Sequence, residues 1–372
     1  MQRNLRRNAE TLAKEGYEVD VVCVGRKGQP RNETLDGVCV HRIYYLYHRG
    51  SVFWYIFDYM CFFFLASLML ARLSLRKRFS VIEVCNIPDF HIFTTLLPKL
   101  FGSQVIFSMF EKTGTVFTES LRLSDTHLFI RIINFITKMV MHYADHIIFT
   151  DVIVQRESIE NFKIPRSKTT LVLNVPDESV FNLEPVYQDN DNQDFCITIV
   201  SSILQRYGLQ TMLQAVPLLT EEIPHLKVHI IGDGDFFPHM KKMAHDMGIE
   251  GYLNCTGVIP YEQVSKYIAM ADICVAPMLD DVGTPNKVLE YIAMGKPTIS
   301  TDLPGLKALF DDNTIVYYHP GDTNELADRI LELYQNPEKR NALSTSAKEL
   351  YRQYHWPITK QVYLGVYKQL LN

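Results

Sequence analysis

Strand-like runs and helix-length segments alternate along almost the whole chain of 372 residues. EVDVVCV, SVIEVCN, QVIFSMF and HIIFT are short, apolar and rich in β-branched residues, and between them lie segments read as helices, IPDFHIFTTLLPKLFG and LFIRIINFITKMVMHY, Leu128 to Tyr143. Continuous apolar strands separated by helices predict a parallel sheet covered on both faces, because a parallel connection needs a crossover long enough to hold a helix. The expected fold class is α/β. The pattern restarts with FCITIVS and runs through LQTMLQAVPLL, KVHIIGDGD, PHMKKMAHDMG, YLNCTGV and EQVSKYIAMA to DICVAP. Between the halves lies EPVYQDNDNQD, polar and poor in hydrophobic residues, the best linker in the sequence. Residues 1–177 and 195–355 are therefore expected to form two doubly wound domains joined by a linker over 178–194, with 356–372 as a final segment.

The stretch GTPNKVLEYIAMGKPTIS, Gly283 to Ser300, reads as a bounded helix. Thr284 suits the N-cap, Pro285 the first helical position and Gly295 a left-handed C-terminal residue, while Pro297 prevents continuation. Val288, Leu289, Ile292 and Ala293 would pack inward, which leaves Lys287 and Glu290 one turn apart on one side, near the end whose dipole attracts anions. Two readings stand. The pair is a solvent-exposed ion pair worth about a few tenths of a kcal/mol, or it holds a ligand carrying phosphate first and hydroxyls next, the shape of a nucleotide sugar.

A net charge of -5 gives no reason to expect nucleic acid as a partner. Cys23, Cys39, Cys61, Cys85, Cys196, Cys255 and Cys274 are scattered without a C-x-x-C, several inside apolar runs, which suits a reducing compartment. The opening run MQRNLRR has no apolar stretch, so export is not expected and a cytoplasmic setting is. No cluster of His, Asp or Cys has metal-ligand spacing, and neither a metal nor another cofactor is expected.

Val52 to Ala71, VFWYIFDYMCFFFLASLMLA, is the most apolar stretch and runs into a basic cluster at Arg72, Arg76, Lys77 and Arg78. Its length approaches a membrane span, but Asp58 interrupts it. A buried or partly buried domain helix, a helix touching the bilayer interface through residues 52–78, and a true span are all compatible with it.

The 283–300 stretch resembles the donor-site helix of family-4 retaining glycosyltransferases, whose pattern P-x-K-x-x-E-Y-x-A-x-G-x-P is met at Pro285, Lys287, Glu290, Tyr291, Ala293, Gly295 and Pro297. The resemblance extends to GDG at Gly232 to Gly234, the strand end at Gly257 and YHW at Tyr354 to Trp356, in order over nearly the whole chain. It implies the GT-B architecture, two Rossmann-like domains facing across a cleft, with the helix after Trp356 crossing back to the first domain. It also implies a UDP- or GDP-linked sugar as donor, transferred with retention to a growing glycan or lipid-linked acceptor, at the inner face of a cell membrane. On this resemblance Glu290 holds the ribose, and Lys287 with Arg206 in QRYG holds the diphosphate. Asn286, Gly232, Ser201, Ser202 and Val258 line the donor site, and Asn86 and Asp89 lie on the acceptor side.

Several positions depart from the family pattern, beginning with Ser201 and Ser202, which stand where the family often has Gly. Val282 stands where many members have a second Glu. Phe110 and Cys85 stand where members carry His, so Glu111 is the catalytic candidate beside Phe110, unless the donor's leaving phosphate alone deprotonates the acceptor. A catalytically degenerate binding or partner protein is the second reading, and a sugar-nucleotide epimerase the third. The sequence also starts directly on its first helix, whereas the usual strand order places an opening strand in the middle of the sheet. Either the flanking strands close that gap or the chain is a fragment, and the fragment is the expectation.

Overall fold

The structure, a computed structural model, describes residues 3–45, 52–121, 124, 126–178, 180–181, 194–280 and 285–371. Most of the expected linker, together with Val282, Gly283 and the expected cap Thr284, lies outside them. Contacts divide the chain into two compact units, Met1–Asn174 with Lys360–Asn372, and Val175–Thr359.

The first unit contains α1 (Arg3–Lys14), β1 (Val19–Val24), β2 (Asn32–Leu35), β3 (Val38–Ile43), α2 (Val52–Ser74), β4 (Val81–Cys85), α3 (Leu96–Leu100), β5 (Gln104–Met109), α4 (Thr113–Leu121), α5 (Leu128–Tyr143), β6 (His146–Phe149), α6 (Val152–Phe162) and β7 (Thr169–Leu171). Strands β4-β5-β6-β7 form one parallel sheet, and β1-β3-β2 form another in which β2 alone is antiparallel. The β2–β3 hairpin was not anticipated, although its signal is in the sequence. Asp36 and Gly37 both have positive φ (48° and 84°), the backbone that a two-residue turn between right-twisted strands requires. Among the described residues no ladder joins β1 to β4; β1 and β4 are only half-buried, whereas β5 is buried almost throughout.

The pleat of β5 divides its side chains between two cores. Val105, Phe107 and Met109 pack with Val140, Met141 and Phe149 on one face, and Ile106 packs with Ile148, Tyr363 and Tyr367 on the other. Tyr363 and Tyr367 both donate their hydroxyls to Glu83, which also accepts from Ser108, so both oxygens of this half-buried carboxylate are engaged.

One expectation for this unit is corrected. The segment IPDFHIFTTLLPKLFG is not one helix but a 3-10 turn over Asp89–Thr95 followed by the short α3. Pro98 lacks an N–H and would clash with the carbonyl of residue 94 in a continuous helix. The apolar helix α2 is a partly buried domain helix: Asp58 and Ala66 face the interior, while Phe64 is 63% and Leu68 70% exposed. Its inner side is held by the 3-10 turn, where His91 Nε2 donates to the Tyr59 carbonyl at 3.1 Å and Phe62 and Phe63 pack their rings against His91. His91 is thereby a core residue whose burial pushes its pKa down to about 4.

The second unit contains β8 (Phe195–Val200), α7 (Leu209–Thr220), β9 (Leu226–Ile231), α8 (Phe237–Asp246), β10 (Leu253–Gly257), α9 (Tyr261–Met270), β11 (Ile273–Ala276), α10 (Asn286–Ala293), β12 (Thr298–Thr301), α11 (Pro304–Lys307), β13 (Ile315–Tyr318), α12 (Thr323–Gln335), α13 (Pro337–Tyr354) and the start of α14 (Trp356–Leu371). All six strands are parallel, in the order β10-β9-β8-β11-β12-β13. Counted from β8 this is 3-2-1-4-5-6, a doubly wound sheet whose order reverses between β8 and β11. At such a switch the connections leave to opposite faces and open a crevice at the carboxyl ends of the strands.

Candidate donor site

The crevice between β8 and β11 is built by the loop after β8 and by α10. The loop is forced into shape by glycines. A Cβ on Gly232, whose φ is 140°, would lie 1.8 Å from the Ser201 carbonyl oxygen, and one on Gly208, with φ 69°, 1.5 Å from that of Pro277. Backbone bonds complete the clamp: Ser201 N–H to Ile231 O at 3.0 Å, Ile203 N–H to Asp233 O at 3.0 Å, and Leu279 N–H to Arg206 O at 2.8 Å. GDG is therefore a tight turn that also lets the β9 end pass against the β8 loop.

Helix α10 starts with Pro285 at its N-cap, one position earlier than expected for that proline, and closes before Gly295 with φ 62°. Every residue of it from Lys287 to Ala293 is buried. This corrects the exposed-pair reading of Lys287 and Glu290, each only 8% exposed. The helix packs its apolar face on the sheet, and its polar side is covered by the β8 loop and α9 instead of water. Lys287 Nζ donates to Ser201 Oγ at 3.2 Å and sits 4.6 Å from the centre of the Tyr207 ring. Burial pushes its pKa down to about 7, against an opposing pull from the Glu290 charge. Arg206 stacks over the same ring at 5.1 Å and donates to the Tyr207 hydroxyl at 3.4 Å. Glu290 Oε1 accepts from the Tyr261 hydroxyl at 2.7 Å, and Phe181 holds the Tyr261 ring edge to face at 4.8 Å.

Of the donor-side residues expected from sequence, Ser201, Arg206, Gly232, Lys287 and Glu290 thus converge on the switch point. Ser202 and Asn286 are exposed at its rim, and Val258, 80% exposed, follows β10 at the end of the sheet. Sequence reasoning missed Tyr207 and Tyr261, and gave Tyr291 no role. The Tyr291 hydroxyl accepts the Val200 N–H at 2.7 Å, satisfying the last amide of β8. A Tyr next to a candidate cation was the one available signal for Tyr207; nothing local marks Tyr261, which meets Glu290 from 29 positions away.

The acceptor-side candidates belong to the first unit. Asn86 Nδ2 donates to the Glu111 carbonyl at 2.6 Å, and its Oδ1 accepts the Phe110 N–H at 2.9 Å. Asp89 is buried and accepts from the Thr113 and Thr137 hydroxyls, while burial raises its pKa above the usual carboxylate value. Asn86 and Asp89 therefore shape the loops after β4 and β5, and the Glu111 side chain projects from that frame as an exposed carboxylate.

Two Rossmann-like units, one with a buried ammonium at its switch point, define a GT-B protein. Sucrose-phosphate synthase from Thermosynechococcus elongatus superposes with a TM-score of 0.80 over 98% of this chain and 92% of that one, at 18% identity. The Anabaena protein HepE, solved in complex with UDP, superposes with a TM-score of 0.66 over 82% and 81%, at 13% identity. Residues 1–179 match the family described as Glycosyltransferase Family 4 and residues 194–336 that described as Glycosyl transferases group 1, and the chain belongs to this glycosyltransferase family. Among curated relatives, the amylovoran biosynthesis glycosyltransferase AmsK of Erwinia amylovora is 29% identical over 42% of this chain, a match spanning only 39% of that relative's length. An uncharacterized glycosyltransferase of Methanocaldococcus jannaschii is 21% identical over 97% of this chain and 92% of its own.

Proposed function

We propose that this protein transfers a sugar from a UDP- or GDP-linked donor to a hydroxyl of a growing surface glycan or lipid-linked acceptor, with retention of configuration, at the cytoplasmic side of the cell membrane and without a metal ion. The observation that carries the reading is Lys287, an ammonium group buried beside a hydroxyl and an aromatic face at the switch point of a parallel sheet. Holding a cation there is costly, and an anionic ligand offsets that cost. A diphosphate entering the crevice meets Lys287, Arg206 and the Ser201 hydroxyl. These groups stabilise the charge that develops as the glycosidic bond to the leaving phosphate breaks. Glu290, oriented by Tyr261, then receives the ribose hydroxyls.

The leaving phosphate takes the proton of the acceptor hydroxyl, so the Phe at position 110 does not by itself abolish transfer, and Glu111 contacts the transferred sugar. The degenerate-partner reading rests on Val282, Phe110, Cys85 and the serines Ser201 and Ser202 in the loop after β8. A thermal-shift panel of UDP, GDP and their sugars tests the nucleotide part: a ligand at a hundred times its dissociation constant stabilises by about 2.7 kcal/mol, and no shift with any of them overturns both transferase and nucleotide-binding readings. A shift without turnover on lipid-linked acceptors, unchanged in Glu111→Gln, favours the partner protein.

A further inference from the structure

We infer that the helical layer of the first unit formed by α2, α3 and α5 is a membrane-docking face that inserts its outer apolar side into an anionic bilayer. On α2 the residues Phe57, Phe64 and Leu68, spaced seven and four apart, fall on one stripe and are all exposed, and Leu75, seven further on in the turn that follows the helix, is 76% exposed. On α5, Leu128, Ile132, Phe135 and Met139 make a second stripe, with Leu128 67% and Phe135 63% exposed. Between them, Leu100 and Phe101 at the end of α3 are 82% and 60% exposed. Single exposed apolar side chains are ordinary, but helices apolar on both the core side and the outer side are found where something other than water covers the outside.

The three elements share one layer. Right-handed crossovers place α3 and α5 on the same face of the β4-β5-β6-β7 sheet. The 3-10 turn leading into α3 bonds α2 through His91 and Tyr59 and bonds α5 through Asp89 and Thr137. Lys99 in α3 donates to the Tyr143 carbonyl at the end of α5 at 2.8 Å. The sequence pointed to residues 52–78 alone; the fold adds the stripes of α3 and α5.

Charge selects the occupant. From Val52 to Phe110 every exposed charged side chain among the described residues is basic, at Arg72, Arg76, Lys77 and Arg78, because Asp58, Glu83 and Asp89 are turned inward. Helix α5 carries no carboxylate, and its Arg131 and Lys138 are exposed. A rim of one sign around apolar stripes complements anionic headgroups above an acyl layer. A second copy of the same face would set like charges against each other.

Flotation with vesicles made of phosphatidylcholine and phosphatidylglycerol in equal parts tests this on the full chain. The protein floats with these vesicles and not with pure phosphatidylcholine, and high salt lowers the bound fraction. Replacing Arg76 or Arg78 by Gln lowers partitioning about fivefold each. Phe64→Glu with Phe135→Glu stays with the unbound protein while melting as the wild type, since both side chains are exposed. Wild-type protein that fails to float, a double variant that floats undiminished, or a wild-type dimer in light scattering that the double variant dissolves, each overturns the proposal. Because the readout is vesicle binding, its failure is distinct from failure of the transfer reaction.

Discussion

The Lys287 ammonium lies 3.2 Å from Ser201 Oγ across 86 positions of sequence, so the end of β8 and the start of α10 jointly hold one buried cation. The contact divides labour in the donor site between a phosphate end and a ribose end. Lys287→Met is expected to weaken UDP or GDP by about tenfold to a hundredfold, the loss of one charge-assisted hydrogen bond, and to leave uridine or guanosine unchanged. Calorimetry with nucleoside and nucleoside diphosphate measures both, and equal losses would reject the division.

The same group sets a pH dependence. Its folded pKa, about 7, is below the ordinary lysine value, so between the two the unfolded chain binds more protons and stability rises with pH; below about 7 the full cost of the buried charge is present. Urea melts across this window should show a slope that is more positive in the wild type than in Lys287→Met; Lys296 and Lys168, whose pKa values burial also lowers, add to both slopes, and the thiols of Cys85, Cys196 and Cys274, whose pKa values burial raises, subtract from both at the alkaline end. Diphosphate affinity runs the opposite way, weakening above about pH 7 as the free-state ammonium deprotonates. A wild-type slope identical to that of the variant would show that Lys287 is not desolvated.

Glu290→Ala is not a surface change. The residue is buried, and removing it takes away the carboxylate that accepts the Tyr261 hydroxyl, so a stability loss of about 1–3 kcal/mol is expected together with weaker nucleoside binding. Glu290→Gln keeps an acceptor for Tyr261 and separates the two effects: it should melt close to wild type yet bind the nucleoside less well. Wild-type nucleoside affinity in Glu290→Gln would remove Glu290 from the ribose site.

Gly232→Ala should abolish nucleotide binding at a distance from any charge. Its Cβ would meet the Ser201 carbonyl at 1.8 Å, a backbone atom that cannot swing aside, so the β8 loop must move and take Ser201 from Lys287. Circular dichroism with a UDP thermal shift checks this; a retained shift would mean that the loop adapts.

Much of the frame was legible because the signals are local. Helices α1 and α5 follow from apolar spacing, the parallel sheets from continuous β-branched runs, and the Gly295 stop of α10 from the need for positive φ. The β2–β3 hairpin was equally local, carried by Asp36-Gly37, and was overlooked. The break of the 89–101 segment at Pro98 was readable from one residue and was also missed.

Sequence by itself determined the α/β class, the two-part division of the pattern, and Lys287 and Glu290 as candidates, because residue type and spacing along one chain segment decide these; Ser201, Arg206 and Gly232 became candidates through the resemblance to the family pattern. Tertiary structure alone decided that Lys287 and Glu290 are buried, that Tyr261 faces Glu290, that Asp89 is spent on Thr113 and Thr137, and that α2 turns its apolar side outward. Each of these depends on which element packs against a helix face, and a helix with apolar residues on both sides gives the same local pattern whether its outer side meets protein, water or lipid.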